Sequence, residues 1–341
     1  MITAMAVCGY AALIGLAAPR ALTRLWPGDR APRRTIALLL SLAYSLPLAA
    51  VIPGLALGFT LLRASLAGPG PAPDHCADRT HPPPPAGGIR LLPPPVLGTF
   101  GIVVACLVVA RIGYCLLATC LTARSSSRAH AAVLQLCGRV DAALGPDVTV
   151  IDHEQAASYC LPGRGGRIVV TSRAMQLLDT VQLNAVLTHE RAHQRGRHHI
   201  LLGLVAALRR SAPRVRMFRY SELEIRRLVE LIADDAAARS HGRRTVAGAL
   251  AVLGAGHAPG AALGVMEGTW ALTRITRMAN PAAGLNRRHT ALTVAAVATA
   301  ILLPLLLTTA SVSILVQNCP PAAVRGTQRP TQAVTRLDDE L

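Results

Sequence analysis

The sequence contains no lysine, so its 35 basic side chains are all arginine and give a formal net charge of +17 at pH 7. Only 3% of the residues are aromatic and 16% are charged, against 52% hydrophobic residues. Soluble domains carry about 25% charged residues, so this balance points to a membrane protein. A genomic composition bias explains the missing lysine more simply than an arginine-specific function, but the net charge leaves nucleic acid and anionic lipid as partners to consider.

Cysteine pairs at metal-binding spacing are also missing. The eight cysteines contain no Cys-x-x-Cys pair and no regular framework, which argues against a metal-thiolate site. Cys76 and Cys319 stand apart because both lie in polar, Pro-rich segments. If both segments lie on an oxidising side of the membrane, a disulfide between these two cysteines and a pair of free thiols are both open.

Long apolar runs are abundant. A membrane-spanning helix needs about 20 such residues, and four stretches are candidates: 2–18, 36–62, 96–121 and 291–316. The first is short, and a signal peptide is its alternative interpretation. Its arginines follow the apolar run instead of preceding it, so we interpret it as a retained helix. Arg111 falls inside the third run, where a charged side chain either faces other helices and water or reaches the membrane surface.

Arginine is distributed unevenly among the connecting segments. The loop after the first run and the long region after the third are rich in arginine, which predicts that both are cytoplasmic. The Pro/Gly-rich loop 63–95 and both termini are then extracytoplasmic. The predicted organisation of this multi-pass cell-membrane protein has four parts: three transmembrane helices and their loops in 1–122, a cytoplasmic domain in 123–289, a fourth transmembrane helix in 290–316, and a short outer tail in 317–341.

The cytoplasmic segment has the patterns of an α+β domain. Its length of about 165 residues is sufficient for one hydrophobic core. Apolar spacing at helical period and short β-branched runs predict its elements. They are a helix at 127–144, strands at 147–154, 156–163 and 167–175, a helix from 180 to about 210, and a second long helix that ends at Gly242.

The stretch VLTHERAHQRGRHH within the 180–210 helix contains a His-Glu-x-x-His pattern. His189 and His193 are four residues apart, so they project from one helix face and can bind one tetrahedral zinc ion. Glu190 can then act as the general base that takes a proton from water. The preceding strands and the acidic helix that follows argue against a chance match on a solvated helix surface.

A catalytic zinc ion needs a third protein ligand. Glu230 lies among apolar residues in LVELIADDAAAR, where a carboxylate is costly to bury unless it is paired or binds metal. Asp234 is four residues later on the same face and can accept the other ring N–H of a zinc-bound histidine. Asp235 is interpreted as a surface charge.

Other polar residues have competing interpretations. His199 could lie near the zinc face, and His241 could stabilise the oxyanion of the transition state. A polar helix end is the preferred interpretation of both histidines. The arginines of 191–227 could bind lipid headgroups or an acidic substrate segment, but a general cytoplasmic charge bias is the simpler explanation.

The stretch ASYCLPGRGGRIVVTSRAMQLLDTVQLNAVLTHERAHQRGRHH resembles the strand-turn-strand-helix core of integral-membrane gluzincin zinc metallopeptidases. ELIADDAAAR resembles their second metal motif, Glu-x-x-Ala-Asp. These proteins include the HtpX-type and CAAX-prenyl endopeptidases and the BlaR/MecR-type antirepressor peptidases. The layout of four spans with a zinc domain before the last is similar to the BlaR/MecR type in particular.

This resemblance implies roles for individual residues. One zinc ion per chain would be bound by His189, His193 and Glu230, with Glu190 as the base and Asp234 as the partner of a ligand. The strand 167–172 would be the edge that pairs with an extended substrate.

Two features depart from the BlaR/MecR type. That type ends in an extracellular penicillin-binding sensor domain, and the residues after the fourth run are too few for one. Antibiotic sensing is therefore not expected. Gln182 stands where an acidic residue is common before the active-site helix's first leucine.

The sequence thus predicts an α-helical polytopic membrane protein with four spans and a cytoplasmic α+β zincin-like metallopeptidase domain. Its partners would be a peptide or protein substrate and the lipid bilayer, and its oligomeric state is left open. One alternative is a membrane signal transducer whose peptidase domain cleaves one cytoplasmic regulator. Another is an inactive scaffold, against which the intact His/Glu/His set argues. No nucleic acid is expected, because the arginines flank spans and no helix-turn-helix or finger spacing occurs.

Overall fold

The structure is a computed structural model. It describes residues 2–26, 28–66, 94–162, 166–255, 263–280 and 287–318. Most of the Pro-rich loop and the C-terminal tail lie outside these residues, and with them the predicted pairing of Cys76 and Cys319.

Helices form most of the described chain. We number them α1 Ile2–Ala12, α2 Ala18–Leu25, α3 Pro32–Leu66, α4 Pro94–Cys137, α5 Ser172–Leu177, α6 Thr180–Arg195, α7 His198–Ser211, α8 Arg216–His241, α9 Arg243–Ala255, α10 Leu263–Ala279 and α11 Arg287–Asn318. A π-helical turn, Leu13–Ala17, joins α1 to α2, and a short 3-10 helix, Gly28–Arg30, precedes α3.

Three helices are long and apolar enough to cross a membrane, over Pro32–Leu62, Val96–Cys137 and Arg288–Leu306. They correspond to the second, third and fourth apolar runs of the sequence. The first run, 2–18, is helical and consists almost entirely of α1 and the π-helical turn. It does not meet the same criterion, so a fourth span remains a prediction.

The two spans α3 and α4 approach each other closely at a pair of glycines. A Cβ atom added to Gly54 would lie 2.8 Å from the carbonyl oxygen of Gly101, and the reverse substitution meets the Gly54 oxygen at the same distance. Small residues let transmembrane helices pack backbone against backbone. A larger residue at either position would separate α3 from α4.

The long helix α8 joins the soluble part of the molecule to the spans. Its side chains Ile225, Leu228 and Leu231 are buried in one cluster with Leu38 and Leu39 of α3. Each such side chain contributes about 1.5–3 kcal/mol on full burial. The helix that carries Glu230 is therefore fixed directly against a candidate membrane span.

A four-stranded sheet has the order β1-β2-β4-β3, with β1 Gly138–Val140, β2 Val148–Ile151, β3 Ser158–Leu161 and β4 Arg167–Thr171. Strands β2 and β4 are parallel, and the outer pairs are antiparallel. The predicted helix at 127–144 is wrong in its second half, because α4 continues to Cys137 and β1 follows. Backbone pairing with β2 outweighs the local helical pattern there.

The predicted substrate edge is also wrong. The strand predicted at 167–172 is β4, which is hydrogen-bonded to β2 on one side and to β3 on the other. Its backbone groups are satisfied, so it cannot accept another strand. The edge of the sheet next to β4 is β3.

The single helix predicted from 180 to about 210 is divided in two. Arg197 adopts a left-handed conformation with φ of 48°, which is unusual for a residue other than glycine. The turn ends α6 and starts α7 in a new direction. At the other end of α6, Gln182 completes a capping box with Asp179, so the residue that departs from the BlaR/MecR pattern stabilises the helix start.

Helix α7 lies alongside the spans. The Tyr44 hydroxyl on α3 donates to the Leu204 carbonyl at 3.5 Å. Arg111 on α4 donates to the carbonyls of Arg210 and Ser211 at 3.4 and 3.5 Å. Arg111 therefore faces another helix, where it binds the unsatisfied carbonyls at the end of α7.

Candidate metal centre

Two histidines of α6 meet one turn apart. The Nε2 atoms of His189 and His193 are 3.0 Å from each other. Both side chains are largely buried, with 13% and 14% of their surface exposed. Helical spacing explains this geometry, since residues i and i+4 project from the same face.

A carboxylate from α8 completes a triangle with these nitrogens. Glu230 places Oε2 3.5 Å from His189 Nε2 and Oε1 3.5 Å from His193 Nε2. Metal–ligand distances at zinc place neighbouring tetrahedral ligands roughly 3.3 Å apart, so these donors fit a zinc ion. In the described part of the chain, His189, His193 and Glu230 are the one group of histidine, cysteine and acidic donors arranged for a metal ion.

The outward-facing nitrogens of both rings also have partners. His189 Nδ1 lies 3.0 Å from Oδ1 of Asp234, a fully buried carboxylate. His193 Nδ1 lies 2.8 Å from Nδ1 of His198. Such partners fix the ring orientation of metal-binding histidines and commonly accompany them.

Arg274 on α10 connects the two carboxylates of α8. Its Nε and Nη2 atoms donate to Asp234 at 2.8 and 2.6 Å, and Nη1 lies 3.2 Å from Glu230 Oε2. The arginine thereby neutralises a carboxylate that has no solvent contact. Sequence reasoning missed Arg274, because nothing in its surroundings distinguishes it from the other arginines.

The charged groups of this centre strongly shift one another's pKa values. Burial alone would lower the pKa of His189, but Asp234 and Glu230 outweigh it and raise that pKa to about 9. Burial would raise the pKa of Glu230, but His189 and Arg274 lower it to about 2. Burial and the charge of His189 lower the pKa of His193 to about 4. The two imidazoles and the carboxylate thus form one electrostatically coupled group, and protons compete with metal ions for ligands of this kind.

The polar neighbours of Glu190 include two residues of strand β3. Only 8% of this residue is exposed, and burial raises the pKa of its carboxyl group. Cys160 and Ser158 of β3 lie beside it. Burial, followed by the charge of Glu190, raises the pKa of the Cys160 thiol to about 12. Ser158 and Cys160 therefore place two polar side chains of β3 next to the Glu190 carboxyl group.

The remaining predicted residues lie around this centre. Asp235 is bound by Arg277 through two hydrogen bonds of 2.7 and 2.9 Å, so it is a paired group and the interpretation as a plain surface charge was incomplete. His241 is the last residue of α8, and its Nε2 lies 2.8 Å from Oγ1 of Thr188, directly before His189.

His199 is exposed, as expected for a polar helix end. Residues 189–199 also match the longer pattern His-Glu-x-x-His-x-x-Gly-x-x-His, in which the last histidine is the third zinc ligand of a different peptidase class. The turn at Arg197 directs His198 towards His193 and leaves His199 outside. The geometry therefore favours Glu230 as the third ligand.

Comparison with known proteins gives one match: residues 123–217 are similar to peptidase family M48. No curated protein and no solved structure matches the chain. The matched segment covers the sheet and the His-Glu-x-x-His helix, and it ends before Glu230 and Asp234. This similarity supports a metal-dependent peptidase related to family M48, and it does not bear on the resemblance to the BlaR/MecR type.

Proposed function

We propose that this protein is a zinc-dependent membrane endopeptidase that hydrolyses peptide bonds on the cytoplasmic side. The observation that carries the proposal is the convergence of His189, His193 and Glu230 from two helices, with Glu190 buried beside them. The similarity of residues 123–217, which include His189, Glu190 and His193, to peptidase family M48 also supports it.

Zinc would be bound by the two Nε2 atoms and the Glu230 carboxylate. When bound, it supplies Lewis acidity, which polarises a peptide carbonyl and lowers the pKa of water. If Nε2 of His193 binds zinc, the ring proton of His193 lies on Nδ1. Nδ1 would then donate a hydrogen bond to Nδ1 of His198. His189 donates from Nδ1 to Asp234, and Arg274 holds Asp234 in place.

Glu190 is the proposed general base. The carboxylate would take one proton from the attacking water, whose oxygen forms a bond to the scissile carbonyl carbon. Glu190 would then pass this proton to the leaving nitrogen as the carbon–nitrogen bond breaks. Because burial raises its pKa, Glu190 is a stronger proton acceptor than an exposed glutamate.

Strand β3 is the proposed substrate-binding edge. It pairs with β4 alone among the described strands, and its residues Ser158 and Cys160 lie beside Glu190. An extended peptide that added to β3 as a further strand would run past the metal centre. Endopeptidases of extended substrates use backbone pairing of this kind to position the scissile bond.

The proposed membrane arrangement keeps the domains predicted from the sequence. Three candidate spans support it, and the fourth proposed span is the first apolar run, 2–18, which contains α1. Both termini would be extracytoplasmic and the 123–289 region cytoplasmic. A reporter enzyme fused after residue 330 tests this topology, and a cytoplasmic signal from that reporter would invert it.

Glu190→Gln tests the activity. In the detergent-purified protein, we expect zinc at one ion per chain and loss of casein or self-cleavage by a factor of about 100 or more, since general-base catalysis contributes about 10²–10⁴-fold. Glu154→Gln, an exposed carboxylate near the sheet, is the matched control and should cleave normally. A folded wild-type protein that binds no zinc would contradict the proposal.

A further inference from the structure

A cavity of about 630 Å³ lies on the side of α6 next to the metal face. Its walls come from the first turns of α3 and α7, from α6 and from the C-terminal half of α8. Arg33, Arg195 and Arg239 line it together with the apolar side chains Ile36 and Ile232. The cavity therefore combines a cationic rim with an apolar wall.

Within the described part of the chain, these three arginines are not paired. They form no hydrogen bond or ion pair with any described residue, and no acidic residue lines the cavity. The charge of Arg195 reaches Asp147, but Arg191 binds that carboxylate through two hydrogen bonds of 2.9 and 3.0 Å. Three guanidinium groups at one cavity can bind an anion, and a guanidinium group forms paired hydrogen bonds with phosphate and with carboxylate alike.

The cavity lies at the level where two candidate spans begin. Arg33 and Ile36 belong to the first turns of α3, and the candidate span starts at Pro32. The neighbouring Arg34 donates to Thr290 in the first turn of α11, so both spans start side by side. Arginine at such a position interacts with the negatively charged surface of anionic lipids.

We propose that this cavity binds the phosphate of an anionic phospholipid headgroup. Arg33, Arg195 and Arg239 would contact the phosphate oxygens, while Ile36 and Ile232 would contact the adjoining apolar part of the lipid. The inference rests on the proposed membrane placement and is independent of peptidase activity. Free inorganic phosphate would bind to the same arginines, so the experiment must distinguish it from the phosphate of a lipid headgroup.

The site also adjoins the metal centre. His198 lines the cavity and contacts the metal-facing His193 at 2.8 Å. A bound phosphate would thus lie one side chain away from a zinc ligand.

The test measures lipid binding to the full-length protein. Wild type would be reconstituted in phosphatidylcholine nanodiscs with and without phosphatidylglycerol, and bound lipid would be counted by native mass spectrometry. The cavity variant R33Q/R195Q/R239Q removes the three charges. The control variant R139Q/R167Q/R173Q removes the same number of charges from exposed arginines that lie outside the candidate spans and make no ion pair with any described residue.

We expect the cavity variant to retain phosphatidylglycerol at least about tenfold less than wild type, since one arginine near an anionic surface contributes about fivefold. The control should stay within about twofold of wild type. Equal loss in both variants, or no loss in either, would overturn the proposal. Zinc content measured on the same samples separates a failure of the metal site from a failure of this one.

A variant that fills the cavity tests whether lipid binding depends on the space in the cavity while the three arginines stay unchanged. Ala236 lines the cavity on α8, and Ala236→Leu keeps all three arginines while reducing the space. We expect weaker retention of phosphatidylglycerol, and unchanged retention would count against an enclosed site.

Inorganic phosphate that displaces the lipid identifies the phosphate group as the bound part. An acidic peptide that binds to the arginines while phosphatidylglycerol does not would reject the lipid.

Discussion

The charged side chains on the two sides of α6 differ in whether they have a partner of opposite charge. On the metal side, His189, Glu230, Asp234 and Arg274 lie within 3.5 Å of a partner of opposite charge. On the cavity side, Arg33, Arg195 and Arg239 have no such partner.

Burial explains the difference. A charge that loses its contact with water must be paired inside the protein, whereas an exposed arginine remains solvated and free to bind something else. The paired side is suited to hold a metal ion in fixed geometry. The unpaired side is suited to bind an anion from outside.

We expect the largest effect from a substitution of Glu230, the proposed metal ligand on the metal side of α6. Glu230→Gln keeps the side-chain shape and removes the charge, so we expect zinc content to fall from one ion per chain to nearly zero and cleavage to be lost. The control is Glu222→Gln, which changes a glutamate of the same helix that pairs with Arg226 at 3.1 Å. Full zinc occupancy in the Glu230→Gln protein would show that another residue is the third ligand.

Removal of the buried cation should destabilise the fold. Arg274→Met leaves Asp234 fully buried without its main partner, and we expect the free energy of unfolding of the metal-free protein to fall by about 3–5 kcal/mol. The Asp235–Arg277 pair offers a matched control, because Asp235 retains 24% side-chain exposure. Arg277→Met should therefore cost clearly less in the same denaturant titration. Equal costs would show that burial of the carboxylate does not determine the effect.

His198 should affect metal binding more than folding. His198→Ala removes the contact with His193, and losses of about 10–100-fold in metal affinity are typical when such a partner is removed. Competition with a zinc chelator measures this change. The adjacent His199 is exposed, so His199→Ala should bind zinc like wild type. The reverse order of the two variants would favour the longer three-histidine pattern over the proposed site.

The smallest effect concerns the contact between α6 and the sheet. The hydrogen bonds from Arg191 lower the pKa of Asp147, so this pair stabilises the protein above the unfolded-state pKa of aspartate and loses that contribution as pH falls through the lower folded-state value. We expect Asp147→Asn to cost about 1 kcal/mol near neutral pH. The difference from wild type should shrink in acid, and a difference independent of pH would exclude the ionised pair as its cause.

Local patterns predicted much of the metal side. The spacing of His189 and His193 fixes their common helix face, and Glu230 and Asp234 stand out because acidic residues are unusual in an apolar helix. Arg274 could not be predicted, since its partners are 40 residues or more away in the chain and its own neighbourhood resembles that of many other arginines.

Backbone features that depend on distant pairing were predicted less well. The alternating patterns located β2, β3 and β4 but not their order, because strand order depends on which edges meet in space. The substrate edge at 167–172 was implied by the family resemblance, and the strand order shows that this strand, β4, lies inside the sheet. The break at Arg197 has no sequence signal beyond Gly196, yet it decides that His198, and not His199, faces the metal side.

X-ray absorption of the zinc-loaded, full-length protein tests the central claim most directly. The account predicts two imidazole nitrogens and carboxylate oxygen around zinc, without sulfur, and the same spectrum in Glu190→Gln. A sulfur ligand would place Cys160 at the metal, and a third imidazole would place His199 there. Either result would contradict the assignment of His189, His193 and Glu230 as the zinc ligands.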